Sequence, residues 1–122
     1  VGMVLLMKER SVIMKRIAIL EKDRKNLEEL VIALNRAGYK TFSYSRANDL
    51  PTLIRSSKPD LVLSNSDFGE YAFSQDIYND GYRGIRIIRY KFRGENFVAV
   101  DGDSSVNCNP VDLVRSLVGE AA

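Results

Sequence analysis

Short apolar runs alternating with amphipathic stretches constrain this chain more than any other feature of its sequence. Ile17 to Leu20 and Leu61 to Leu63 are continuous apolar runs, too short for helices. Runs of that kind fit strands buried on both faces, as in a parallel sheet covered by helices. Between them Leu27, Leu30, Val31 and Leu34 recur at the i, i+3, i+4 and i+7 positions of a helix from about Lys25 to Arg36. Gly38 stands where a helix-ending glycine belongs. Lys40 to Ser45 alternates around Phe42 and Tyr44 and reads as a second strand.

The pattern continues along the chain. Asn48 or Asp49 caps a short helix with Pro51 in its first turn and Leu50, Leu53 and Ile54 on its apolar face. Lys58-Pro59-Asp60 is a break before the third strand. A third helix is expected over residues 70–80, followed by a turn at Gly81 and Gly84. Ile85 to Tyr90 is a fourth strand and Phe97 to Val100 a fifth. Asn109 and Pro110 supply the cap and first position of a final helix whose face is Val111, Val114, Leu117 and Val118.

Strands alternating with helices predict an α/β domain with helices on both faces of the sheet. Right-handed crossovers then favour a flavodoxin-like three-layer sandwich, with a mostly parallel five-stranded sheet in the order 2-1-3-4-5. The stretch between the fourth and fifth strands, Lys91 to Asn96, is too short and glycine-broken for a normal crossover helix. The fourth helix is therefore expected to be reduced or absent. Alternatively, Phe97 to Val100 is an added element and Ser105 to Cys108 the last strand. A connection that short would pair its flanking strands antiparallel, because a parallel crossover needs a dozen or more residues. Met14 immediately precedes the first strand, so residues 14–122 are read as one domain and residues 1–13 as an N-terminal extension without assigned function.

Composition excludes several classes. The 18 basic and 16 acidic residues are interleaved without a basic block, so nucleic acid is not an expected partner. With no histidine and a single cysteine, Cys108, zinc has almost no soft ligands and an internal disulfide is ruled out. Cys108 reads as a small core residue and fits a reducing, cytoplasmic setting. No apolar run approaches the roughly 20 residues of a membrane-spanning helix. No nucleophile–base pair or phosphate-binding glycine loop stands out, and neither a metal nor another cofactor is expected.

Four segments, taken in order, resemble the receiver domain of bacterial response regulators: Lys15 to Asp23, Ala37-Gly38-Tyr39, Lys58 to Leu63, and Asn109 to Leu113. The likeness covers roughly residues 14–120. In that family, carboxylates at the carboxyl ends of the first and third strands hold Mg²⁺, and one of them accepts a phosphoryl group, helped by a lysine. Here the resemblance puts Glu21 at the first acidic position and Lys22 at the second. Asn65 stands in place of the phosphoacceptor aspartate, Arg89 or Tyr90 in place of the switch hydroxyl, and Asn109 in place of the lysine. A carboxamide cannot form an acyl phosphate, and an ammonium at position 22 would oppose a divalent cation by several kcal/mol even at an effective dielectric of about 20. Lys22 is expected to replace the metal and pair with Glu21 or Asp67, and Asp67 is the one fallback acid.

The resemblance thus implies a degenerate pseudo-receiver in two-component signal transduction, not an enzyme, acting by protein contacts independent of phosphorylation. Its partner is a protein of unspecified identity, and a homodimer is one form such contacts take. Tyr82, Arg89, Tyr90, Lys91 and Phe92 are the candidate partner surface, because aromatics and arginines concentrate there between glycines. The alternative is a small-ligand domain or enzyme, for example one binding a nucleotide, with its site at the carboxyl ends of the strands.

Overall fold

The computed structural model describes residues 14–44, 50–66, 85–101 and 104–121. Along them run β1 (Arg16–Leu20), α1 (Arg24–Arg36), β2 (Lys40–Tyr44), α2 (Leu50–Ser57) and β3 (Leu61–Asn65). These are followed by β4 (Arg86–Arg93), β5 (Asn96–Asp101), β6 (Ser104–Asn107) and α3 (Pro110–Val118). The expected third helix over 70–80, the cap at Asn48 or Asp49 and the extension 1–13 lie outside the described residues.

The six strands form one sheet in the order β2-β1-β3-β4-β5-β6. Its first half is parallel: β2 with β1, β1 with β3, and β3 with β4. Its second half is antiparallel: β4 with β5 and β5 with β6. The expectation of a mostly parallel, five-stranded, flavodoxin-like sandwich is therefore corrected to a six-stranded mixed sheet. The physical reason lies in the β4–β5 connection. Arg93 pairs with Asn96 across a loop of two residues, Gly94 and Glu95. Gly94 takes φ 61°, at the first loop position where a two-residue hairpin turn of the II′ kind wants glycine. A loop of that length can only reverse the chain. No crossover helix fits there, and β6 is the extra strand that results.

Pleating assigns each residue to a face. Ile17, Ile19, Leu61, Leu63, Tyr90 and Phe97 pack under α1 and α3 with Leu30, Leu34 and Val114. On the other face Ala18, Leu20 and Val62 pack with Ile54 of α2. The two continuous apolar runs are buried on both sides, which is why their sequences do not alternate. Each fully buried aliphatic side chain contributes about 1.5–3 kcal/mol relative to exposure.

The helices begin and end on local signals. The Asp23 side chain accepts from the Asn26 N–H at the start of α1 (2.9 Å). Asn109 does the same for Val111 and Asp112 at the start of α3 (2.9 and 3.2 Å). Gly38 ends α1 with φ 96°, in the left-handed region. The segment after α3 returns to this corner. Tyr39 Oη donates to the Gly119 carbonyl at 2.6 Å, and the Lys15 N–H donates to Ala121 O at 2.7 Å.

Candidate functional site

The carboxyl ends of β1, β3 and β4 converge on one buried carboxylate. Glu21 directly follows β1 and is only 2% exposed. Asn65 closes β3, and parallel register sets it beside Tyr90 of β4. Glu21, Asn65 and Tyr90 thus meet on the face that carries α1 and α3. Asn65 Nδ2 donates to Glu21 Oε1 at 2.8 Å, and Tyr90 Oη donates to the same oxygen at 3.0 Å. The Asp23 N–H donates to Oε2 at 3.0 Å. Three donors around a carboxylate offset much of its desolvation, because hydrogen bonds to charged groups are each worth about 1.5–3 kcal/mol.

Tyr90 joins this polar cluster to an aromatic one. Its ring is fully buried and stacks on Phe97, with centroids 4.9 Å apart and planes at 20°. Phe92 meets Tyr90 and Phe97 at near-right angles, 5.9 and 5.7 Å away. Burial, then the Glu21 charge and the hydrogen bond to it, push the Tyr90 phenol well above the ordinary tyrosine value of 10.0. The phenol therefore stays protonated and remains a donor to Glu21.

Of the residues expected in the pocket, the structure brings together Glu21, Asn65 and Tyr90. Arg89 and Asn109 stand apart from them. Lys22 is exposed, and Glu21 accepts hydrogen bonds from Asn65, Tyr90 and Asp23. Arg89 projects from the opposite face of the sheet, in register with Ser64, and its Nη2 donates to the Ser66 carbonyl at 3.0 Å. The Asn109 side-chain oxygen is taken up by capping α3, so that residue does the work of a helix start. Asp67 lies outside the described residues.

The expected partner surface is also corrected. Tyr90 is fully buried and cannot belong to an exposed patch. Arg89, Lys91 and Phe92 are partly buried, with Phe92 on the opposite face from the two cations. Tyr82 lies outside the described residues. Of the two residues expected at the switch position, Arg89 or Tyr90, it is Tyr90 that reaches Glu21, and its position beside arginines and glycines does not by itself show that it is buried. The signal lay in the alternation of β4, where Ile88, Tyr90 and Phe92 fall on one face and Ile87, Arg89 and Lys91 on the other.

No family model matches this chain, and no curated protein does.

Among the described residues no group of three or more histidine, cysteine, aspartate or glutamate side chains is placed to hold a metal ion. No described helix is long and apolar enough to cross a membrane. Chemically, the described part of the strand-end cluster consists of a carboxylate holding three donors, an amide and a protonated phenol.

Proposed function

We propose that this chain is a phosphorylation-independent protein-interaction module of bacterial signal transduction, related to receiver domains over its first strands and rebuilt beyond the fourth. The observation that carries the reading is the closure of Glu21. Its oxygens accept from Asn65, Tyr90 and Asp23, and it is 2% exposed. A cation entering here would compete with three hydrogen bonds for a carboxylate almost wholly shielded from solvent. The amide of Asn65 is no phosphoryl acceptor. Signalling by such a domain runs through constitutive contacts, and the β5–β6 hairpin is a natural place for them, with all four residues of β6 exposed. A cytoplasmic setting belongs to the same proposal and is compatible with the half-buried free thiol of Cys108.

Intact-mass spectrometry after incubation with acetyl phosphate and Mg²⁺ tests the first half of the reading. The expected spectrum is that of the untreated chain, and a phosphorylated species would overturn it. Affinity capture from the native cell tests the second half. The captured partners are expected to be the same with and without the phosphodonor and to be reduced by Val106→Asp on the exposed hairpin.

A further inference from the structure

A concavity among the described residues shares no lining residue with Glu21, Asn65 or Tyr90, and its charge is opposite to that of the chain. A groove of about 560 Å³ runs between α1, the β4–β5 turn and the start of α3. Phe92 and Phe97 form its aromatic wall, Glu29 and Glu95 its acidic rim, and Asn107 and Asn109 its polar end. No described lysine or arginine lines it, although the chain as a whole carries a net charge of +2. Glu29 and Glu95 have no ion-pair partner among the described residues. The neighbouring acids on both helices do: Glu28 with Arg24, and Asp112 with Arg115.

Two opposed features decide the ligand's sign. The amino end of α3 opens onto the groove and carries about half a positive charge. Its first amides are already bonded to Asn109, at 2.9 and 3.2 Å, so little is left to attract an anion. Two full carboxylate charges outweigh that residue of dipole. An aromatic wall beside two acids suits a cation, since a guanidinium or ammonium gains from the ring as well as from the carboxylates.

We infer that this groove binds an arginine- or lysine-bearing segment of a protein partner, its cation held by Glu29 and Glu95 and its aliphatic stem along Phe92. The inference rests on the reading of the chain as an interaction module and supplies the chemistry of the partner that the module takes.

The test uses the whole chain and two blocked hexapeptides, one alternating leucine with arginine and one alternating leucine with glutamate, followed by amide chemical shifts. The basic peptide is expected to move the resonances of Glu29, Phe92 and Glu95 and to bind more weakly as salt is raised. A Glu29→Lys, Glu95→Lys double variant is expected to bind it about tenfold more weakly, in keeping with two exposed charge pairs. Both residues are exposed, so the variant keeps its fold, and an unchanged thermal midpoint checks this. A milder loss in the Glu29→Gln, Glu95→Gln variant would further support the site. Equal shifts with the acidic peptide, no shift at these residues, or full binding by the double lysine variant would overturn it. Such a failure leaves the phosphorylation-independent reading intact. That reading falls only if the chain takes up a phosphoryl group, which the groove neither requires nor prevents.

Discussion

At the scale of single residues, the buried Glu21 organises the ends of the strands. Its environment makes two substitutions informative. Tyr90→Phe keeps the ring stack on Phe97 and removes one of the two donors to Glu21 Oε1. A cost of about 1.5–3 kcal/mol is expected, the usual penalty for depriving a buried charge of a hydrogen bond, and urea unfolding measures it. Asn65→Asp places a second carboxylate at the position from which the amide donates at 2.8 Å. The variant is expected to lose several kcal/mol at neutral pH and to recover as pH falls through the carboxylate range, because two adjacent acids cannot both ionise in a buried site. A variant as stable as the parent at pH 7 would mean that the cluster is far wetter than its burial indicates.

Tyr90 also dictates a pH dependence, and Tyr39 adds to it. Burial raises both phenols above their ordinary value of 10.0. A group whose folded value exceeds its unfolded one stabilises fully below the unfolded value and loses that contribution as pH rises beyond it. Stability should therefore decline above about pH 10, with up to about 1.4 kcal/mol lost per pH unit for each such phenol. Unfolding midpoints followed across that range should flatten in Tyr90→Phe. An identical slope in the variant would show that the phenol titrates normally in the folded chain.

At the scale of elements, helix ends and one hairpin turn govern the outcome. Gly38 takes φ 96°, and a Cβ there would approach the Ala121 Cβ to 3.1 Å. Gly38→Ala is expected to cost about 1–2 kcal/mol by combining left-handed strain with that close approach, as thermal unfolding can measure. Asn109→Ala should cost about 1 kcal/mol through loss of the cap, whereas Asn109→Asp should be nearly neutral. If aspartate proves as costly as alanine, the residue is doing something other than capping. Both features were legible in the sequence, since a glycine after the Leu27–Leu34 stripe and an asparagine before Pro110 are local signals. The β4–β5 hairpin was legible only in part. The shortness of Lys91 to Asn96 announced that a helix was missing and that an antiparallel pairing was open. The choice between a shortened crossover and a reversal depended on Gly94 adopting a positive φ, which composition alone does not fix.

At the scale of the whole molecule, the chain joins a parallel half to an antiparallel one. The parallel half, in the order β2-β1-β3-β4, is the part of the sheet that strands alternating with helices and right-handed crossovers imply. The antiparallel half follows the alternative reading, with Phe97 to Val100 an added element and a last strand near Ser105 to Cys108, although the four exposed residues of β6 carry no apolar period to choose it. The same division explains the site. Glu21 directly follows β1 and Asn65 closes β3, two strands marked by apolar runs that pair in parallel, so their convergence is legible in the sequence. Arg89 and Tyr90 were adjacent candidates on a strand whose facing had not been fixed, and the sheet sends them to opposite sides. Closure of the strand ends is the physical basis for reading the domain as one that signals without phosphoryl transfer. The most direct measurement is a titration of the intact chain with Mg²⁺ and beryllofluoride, followed through the amide resonances of Glu21 to Asp23 and of Asn65 and Ser66. The expected result is no specific movement of these resonances up to millimolar Mg²⁺. Saturable shifts there at millimolar or lower concentration would show that Glu21 can leave its three donors for a cation, and would contradict the closed site.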